Sequence, residues 1–175
     1  MLLFMEQDNT QNIQQNIQQN NQQTNQQQKQ QQISLEDKLI EMRQEWTKKV
    51  EELNADMKNL ASLDHLLNIV FTERQRAVDL YYATKSTLDK QLLIYKQKYA
   101  TIYNNMKLGS NGIRYTNESA IQTQCEAQLT DMRAVIDELK NFIDFMWETV
   151  VSINGLQFAI SSKIKIYEIM NGLKL

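Results

Sequence analysis

Between Lys85 and Arg114 the chain carries six basic side chains, Lys85, Lys90, Lys96, Lys98, Lys107 and Arg114, against the single acid Asp89. Lys85, Lys96 and Lys107 recur every 11 residues, close to three turns of an α-helix, so they share one line along it. Tyr103 falls on nearly the same line and Tyr99 lies beside it. Ammonium groups neutralise phosphates, and tyrosine rings stack on unpaired bases of any sequence. That combination suits single-stranded nucleic acid bound with little sequence selectivity. A plainer account also fits: the lysines form a solvated face and pair with an acidic helix, and the tyrosines belong to the core.

No constellation for catalysis assembles. Cys125 stands at an apolar helical position, four residues after Ile121 and four before Leu129, and reads as a small core residue. His65 is the one histidine, which leaves almost no material for a zinc site. Acid pairs such as Glu51-Glu52 and Asp137-Glu138 are adjacent, so their side chains diverge by about 100° round a helix and cannot converge on a substrate. No Walker A or GxGxxG sequence is present to cradle a phosphate. The expectation is a non-enzymatic protein with no cofactor and no metal.

The elements that must position the basic row are helices. Ser34-Leu35-Glu36-Asp37 resembles a helix start, with a capping hydroxyl and acids at the positive end of the dipole. Leu35, Leu39, Met42, Trp46, Val50, Leu53, Met57 and Leu60 then recur every three or four residues as one apolar stripe. The pattern continues less regularly through Leu63, Leu66, Val70, Phe71, Val78 and Tyr81, with Ser62 available to cap a second helix, and resumes from Leu88 to Met106. Gly109-Ser110-Asn111-Gly112 is the clearest break, and Gly109 suits the residue just past a helix end. A further helix is expected from near Thr116 or Asn117, with Asn154-Gly155 kinking or ending it, and a last one from about Leu156 to Asn171-Gly172. From Tyr115 to Thr149 there are seven acids and two bases, so the turn joins a basic helix to an acidic one.

The carboxy-terminal stretch is apolar on more than one face. Phe142, Phe145, Met146, Trp147, Val150, Ile153, Phe158, Ile160, Ile164 and Tyr167 exceed what one intramolecular seam requires. Such a helix must be buried, and a second copy of the chain is the natural cover, the hidden helix of a monomeric bundle being the alternative. A closed ring or bundle is favoured over a long parallel coiled coil, because the heptads do not persist.

Composition agrees. In 175 residues there are no prolines and four glycines, and the net charge is −2; sandwiches, barrels and doubly wound sheets need more turn residues than this. The fold class expected is all-α, long helices packed as a bundle or hairpin that assemble into a ring-like homo-oligomer. One cysteine fits a reducing compartment, hence the cytoplasm. No apolar run reaches the length of a membrane span, and MLLFM is too short for a span or for the apolar core of a signal sequence. Of residues 7–32, 20 of 26 are Gln or Asn, too little apolar surface to offset ordering. The expected organisation is a disordered tail over 1–33, a helical region with the basic helix over 34–108, and oligomerising helices over 113–175.

The layout resembles the UvsY-like recombination mediators of large tailed phages. The resemblance rests on SLEDKLIEMRQEW at 34–46, LLIYKQKYATIY at 92–103 before GSNG, RYTNESA at 114–120, and NFIDFMWETVVSINGLQFAISSKIKIYEIMNG at 141–172. It excludes the Gln/Asn-rich tract. The resemblance implies a non-enzymatic, ring-like homo-oligomer, a hexamer or heptamer, that binds single-stranded DNA. It further implies a role in loading a RecA-like recombinase onto DNA occupied by single-strand-binding protein. The Lys-x-Arg pair of the family's basic helix falls on Lys96 and Lys98, where the second base is lysine. The family's carboxy-terminal helices drive its oligomerisation.

Overall fold

A computed structural model describes residues 35–59, 62–109 and 115–172, and among these it holds four helices and no strand. α1 covers 35–56, α2 Leu63–Leu108, α3 Glu118–Gln128 and α4 Thr130–Met170. The all-α expectation is met. Ser34, Arg114 and the Gln/Asn-rich tract lie outside the described residues. Residues 35–38 are the first turn of α1, and from Leu39 onward the described chain is one compact unit.

Two long helices run antiparallel through that unit. Arg74 Nε of α2 donates to Asn154 Oδ1 of α4 at 2.6 Å, and seven residues further along α2 the ring of Tyr81 lies 5.8 Å from that of Trp147. As α2 advances α4 recedes, and both contacts share one register.

The buried side chains of the hairpin follow a seven-residue period. On α2 they are Leu63, Val70, Ala77 and Thr84, with Leu66 and Glu73 between. On α4 they are Leu139, Met146, Ile153 and Ile160, with Phe142, Thr149 and Leu156 between and Ile136 and Val150 added off the repeat. α1 follows suit with Leu39, Trp46 and Leu53. A strict seven-residue repeat keeps each seam aimed at its neighbours by slight left-handed winding. The expectation that heptads fail therefore needs correcting: they persist, but across three helices of one chain that run up, down and up. Each large side chain so covered contributes about 1.5–3 kcal/mol relative to exposure.

Charges fix α1 against one side of the hairpin. Lys49 Nζ is 3.0 Å from the buried carboxylate of Glu73, which Arg76 also reaches at 3.0 Å. The Arg43 guanidinium lies over the Phe142 ring at 5.9 Å and 3.8 Å from Glu138. Lys163 Nζ donates to the Met57 carbonyl at 3.1 Å, just past the end of α1, where a cation complements the helix dipole.

Helix ends are partly as expected. Gly109 adopts φ 74°, and its N–H bonds the Asn105 carbonyl to close α2. Asn117 caps α3, its side chain accepting from the Ser119 N–H at 3.0 Å. Ser62 stands at the start of α2 but makes no capping bond; its hydroxyl donates to the Asn59 carbonyl instead.

The carboxy-terminal break is displaced. It occurs at Leu129, between α3 and α4, where the Thr130 hydroxyl donates to the Glu126 and Ala127 carbonyls. Asn154 and Gly155 lie inside α4, which does not end there. Val150, Ile153, Leu156 and Ile160 are all buried around them, and that packing outweighs the roughly 1 kcal/mol a glycine costs a helix interior.

Candidate nucleic-acid interface

The basic residues sit on the second half of α2. Lys85, Lys90, Lys96, Lys98 and Lys107 are all exposed, and the first four make no ion pair with any described residue. Among the described residues those four therefore do not pair with the acidic helix. At 1.5 Å per residue, Lys85, Lys96 and Lys107 form a row with steps of about 16 Å. Lys90 and Lys98 lie elsewhere round the helix: at 100° per residue, Lys98 is about 200° from Lys96. The Lys96/Lys98 pair thus points to nearly opposite sides, and a strand following the row meets Lys96 without meeting Lys98.

The tyrosines serve two ends at once. Tyr95, Tyr99 and Tyr103 form a ladder up α2, with ring centroids 6.3 Å and 6.5 Å apart, the upper pair stacked at 16° between planes. All three are half-buried. The side of Tyr99 turned to α3 has Cys125 and Glu126 as neighbours, and loss of solvent, with those groups adding to it, pushes its phenol above the usual value. The Tyr103 hydroxyl donates to the Glu118 carboxylate. Lys107 Nζ in turn donates to the Tyr103 hydroxyl at 3.3 Å and lies 5.4 Å from its ring centre. That hydrogen bond, with the Glu118 carboxylate as a nearby negative charge, raises the Lys107 pKa above the ordinary lysine value. The foot of the basic row is thus tied to the first turn of the acidic helix, and the unpaired charge is concentrated from Lys85 to Lys98.

The expected oligomerisation residues divide. Phe142, Met146, Val150, Ile153 and Ile160 are buried in the seam formed by α1, α2 and α4; as an intermolecular face they need correcting, because one chain covers them completely. Phe145 and Ile164 are half-buried, while Trp147, Phe158 and Tyr167 are exposed. The sequence reading missed the exposed apolar residues of α2, Phe71, Tyr82 and Leu93. Their equal 11-residue spacing was the available signal.

For other chemistry little is offered. Cys125 is fully buried, and loss of solvent pushes its thiol up, away from the reactive thiolate. His65 is exposed. Among the described residues no group of three or more His, Cys, Asp or Glu is placed to hold a metal ion, and no helix is long and apolar enough to cross a membrane. Compared with protein-family models, with curated proteins and with solved structures, the chain matches none of them.

Proposed function

We propose that this chain is a non-enzymatic recombination mediator of the UvsY type. In this reading it binds single-stranded DNA and helps load a RecA-like, UvsX-type recombinase onto DNA covered by single-strand-binding protein. It would serve phage DNA recombination, repair and recombination-dependent replication in the host cytoplasm, as a ring-like homo-oligomer of six or seven copies. The observation that carries it is the unpaired charge of Lys85 and Lys96 in a row on α2 that runs beside half-buried tyrosine rings.

Multivalency supplies the mechanism. One subunit offers a modest patch, but an oligomer repeats it at fixed spacing, so every contact after the first is effectively intramolecular. Lysines neutralise phosphates, and the half-buried rings of Tyr99 and Tyr103 stand beside them as candidate stacking partners for bases. A strand held along several subunits is extended, and the competing binding protein loses part of its hold on it.

A second reading, a helical scaffold without DNA binding, is favoured by one observation: the tyrosine ladder is engaged with α3 through Glu118 and the Cys125 side. Filament assembly by a RecA-like recombinase on DNA pre-covered with single-strand-binding protein separates the two. The mediator reading expects this chain to shorten the assembly lag several-fold. An unchanged lag across a full titration supports the scaffold.

A further inference from the structure

The side of the hairpin that α1 leaves open carries an ordered apolar surface. Glu73 of α2 and Phe142 of α4 face α1. At 100° per residue, Tyr82 and Phe71 are about 160–180° round α2 from Glu73, and Trp147 and Phe158 about 140–160° round α4 from Phe142. All four therefore emerge on the opposite side, as the Tyr81–Tyr82 and Tyr81–Trp147 ring contacts across that edge agree. Their exposures are 48% for Phe71, 62% for Tyr82, 56% for Trp147 and 77% for Phe158, with Val151 between the last two at 53%. Four exposed aromatic side chains on one side of a helical pair are not what a solvated surface carries.

The two helices repeat this surface with the same step. Phe71 and Tyr82 are 11 residues apart, as are Trp147 and Phe158. The hairpin register pairs Arg74 with Asn154 and Tyr81 with Trp147, so Phe71 stands level with Phe158 and Tyr82 level with Trp147. Rotation by a half-turn about an axis parallel to the helices, beneath this face, lays α2 of one copy on α4 of another at the same levels. Tyr82 then meets the partner's Trp147, and Phe71 the partner's Phe158.

The surrounding charges select the same arrangement. On α2, Lys85 and Lys90 are exposed without an ion pair, and they stand level with Asp144 and Asp137 of α4. The outer edge of α4 also carries Glu148, while Asp64, Asp79 and Asp89 on α2 and Arg133, Lys140, Lys163 and Lys165 on α4 are the opposing exceptions. Stacking α2 on α4 sets basic edge against acidic edge, whereas α2 on α2 would set lysine against lysine.

We infer that this face binds a second copy of the same chain, as a two-fold antiparallel stack of α2 on α4 built on Phe71, Tyr82, Trp147 and Phe158. The pairing does not rest on the DNA-binding reading, although it supplies a contact for the oligomer that reading invokes. Every copy makes the contact once, so a closed assembly containing it holds an even number of copies; of the two ring sizes implied above, it selects six.

Light scattering on the full chain, with and without Phe158→Glu, tests it. The expected result is an even multiple of the 20.6 kDa chain mass for the unaltered protein and half that mass or less for Phe158→Glu, with helical circular dichroism unchanged. Register is tested by disulfide trapping between copies. An equal mixture of Phe71→Cys and Phe158→Cys chains should form several-fold more covalent dimer than either chain alone. A monomer, a closed ring of odd number, an unshifted mass for Phe158→Glu, or no excess of dimer in the mixture overturns the pairing. The two readings fail separately. A ring of seven that binds single-stranded DNA sinks the pairing and spares the mediator; an even oligomer that ignores DNA does the reverse.

Discussion

Replacing Gly155 by alanine should stabilise the protein, against the ordinary expectation for an Asn-Gly pair. The residue lies inside α4, its φ is not positive, and a Cβ built there meets no atom within 4 Å. Alanine therefore gains the helix-propensity difference, about 0.8–1 kcal/mol, with no steric term against it. The gain reflects the freedom that glycine keeps in the unfolded chain. For a unit of this size it raises Tm by about 3 °C, and with a urea m value of about 2 kcal/mol/M it moves the midpoint by about 0.5 M. Paired urea titrations followed by far-UV circular dichroism would read it. Destabilisation by about 1 kcal/mol or more would mean that residue 155 needs a non-helical backbone. The continuous α4, and with it the Arg74–Asn154 register, would then be wrong.

Phe142→Ala empties the centre of the three-helix seam and removes the ring beneath Arg43; urea unfolding should show a loss of about 3–5 kcal/mol. Asp137 is held below the usual carboxylate value by the Lys140 hydrogen bond. Its contribution is full above the ordinary carboxylate pKa and lost as pH falls through the depressed one, so Asp137→Asn should flatten the acid limb of a stability–pH curve below about pH 4. Lys107 is raised by Tyr103, so its contribution is full below the ordinary lysine pKa and lost above the raised one. Tyr103→Phe should flatten the alkaline limb of the same curve. For DNA, Lys96→Ala should lower the log–log salt slope by about 0.7 per subunit, and Lys98→Ala should lower it by less because it points away from the row; equal effects would refute the row geometry.

Much of this molecule is legible in its residues, for identifiable reasons. Gly109 and Asn117 announce their helix ends because left-handed backbone and side-chain capping are local chemistry. Asn154-Gly155 misleads because local chemistry there is overruled by the buried heptad on both sides. Leu129 gives no warning, since no proline or glycine marks the α3–α4 break. The excess of apolar residues in α4 is correctly visible, but one-dimensional pattern cannot say which face looks inward. Three-dimensional register does, sending Phe142 and Met146 into the seam and leaving Trp147 and Phe158 outside. The basic row is readable as charge and spacing, whereas the Lys107–Tyr103–Glu118 link joins two helices across a turn and needs the fold.

The central claim is that the α2 row binds single-stranded DNA electrostatically, and fluorescence anisotropy of a labelled single strand over a salt series tests it most directly. With Lys85 and Lys96 as the unpaired charges of the row, the account predicts binding indifferent to sequence whose log affinity falls against log salt with a slope of about 1.4 for each subunit engaged. Absence of binding at low salt, or affinity that does not change between low and high salt, would contradict it.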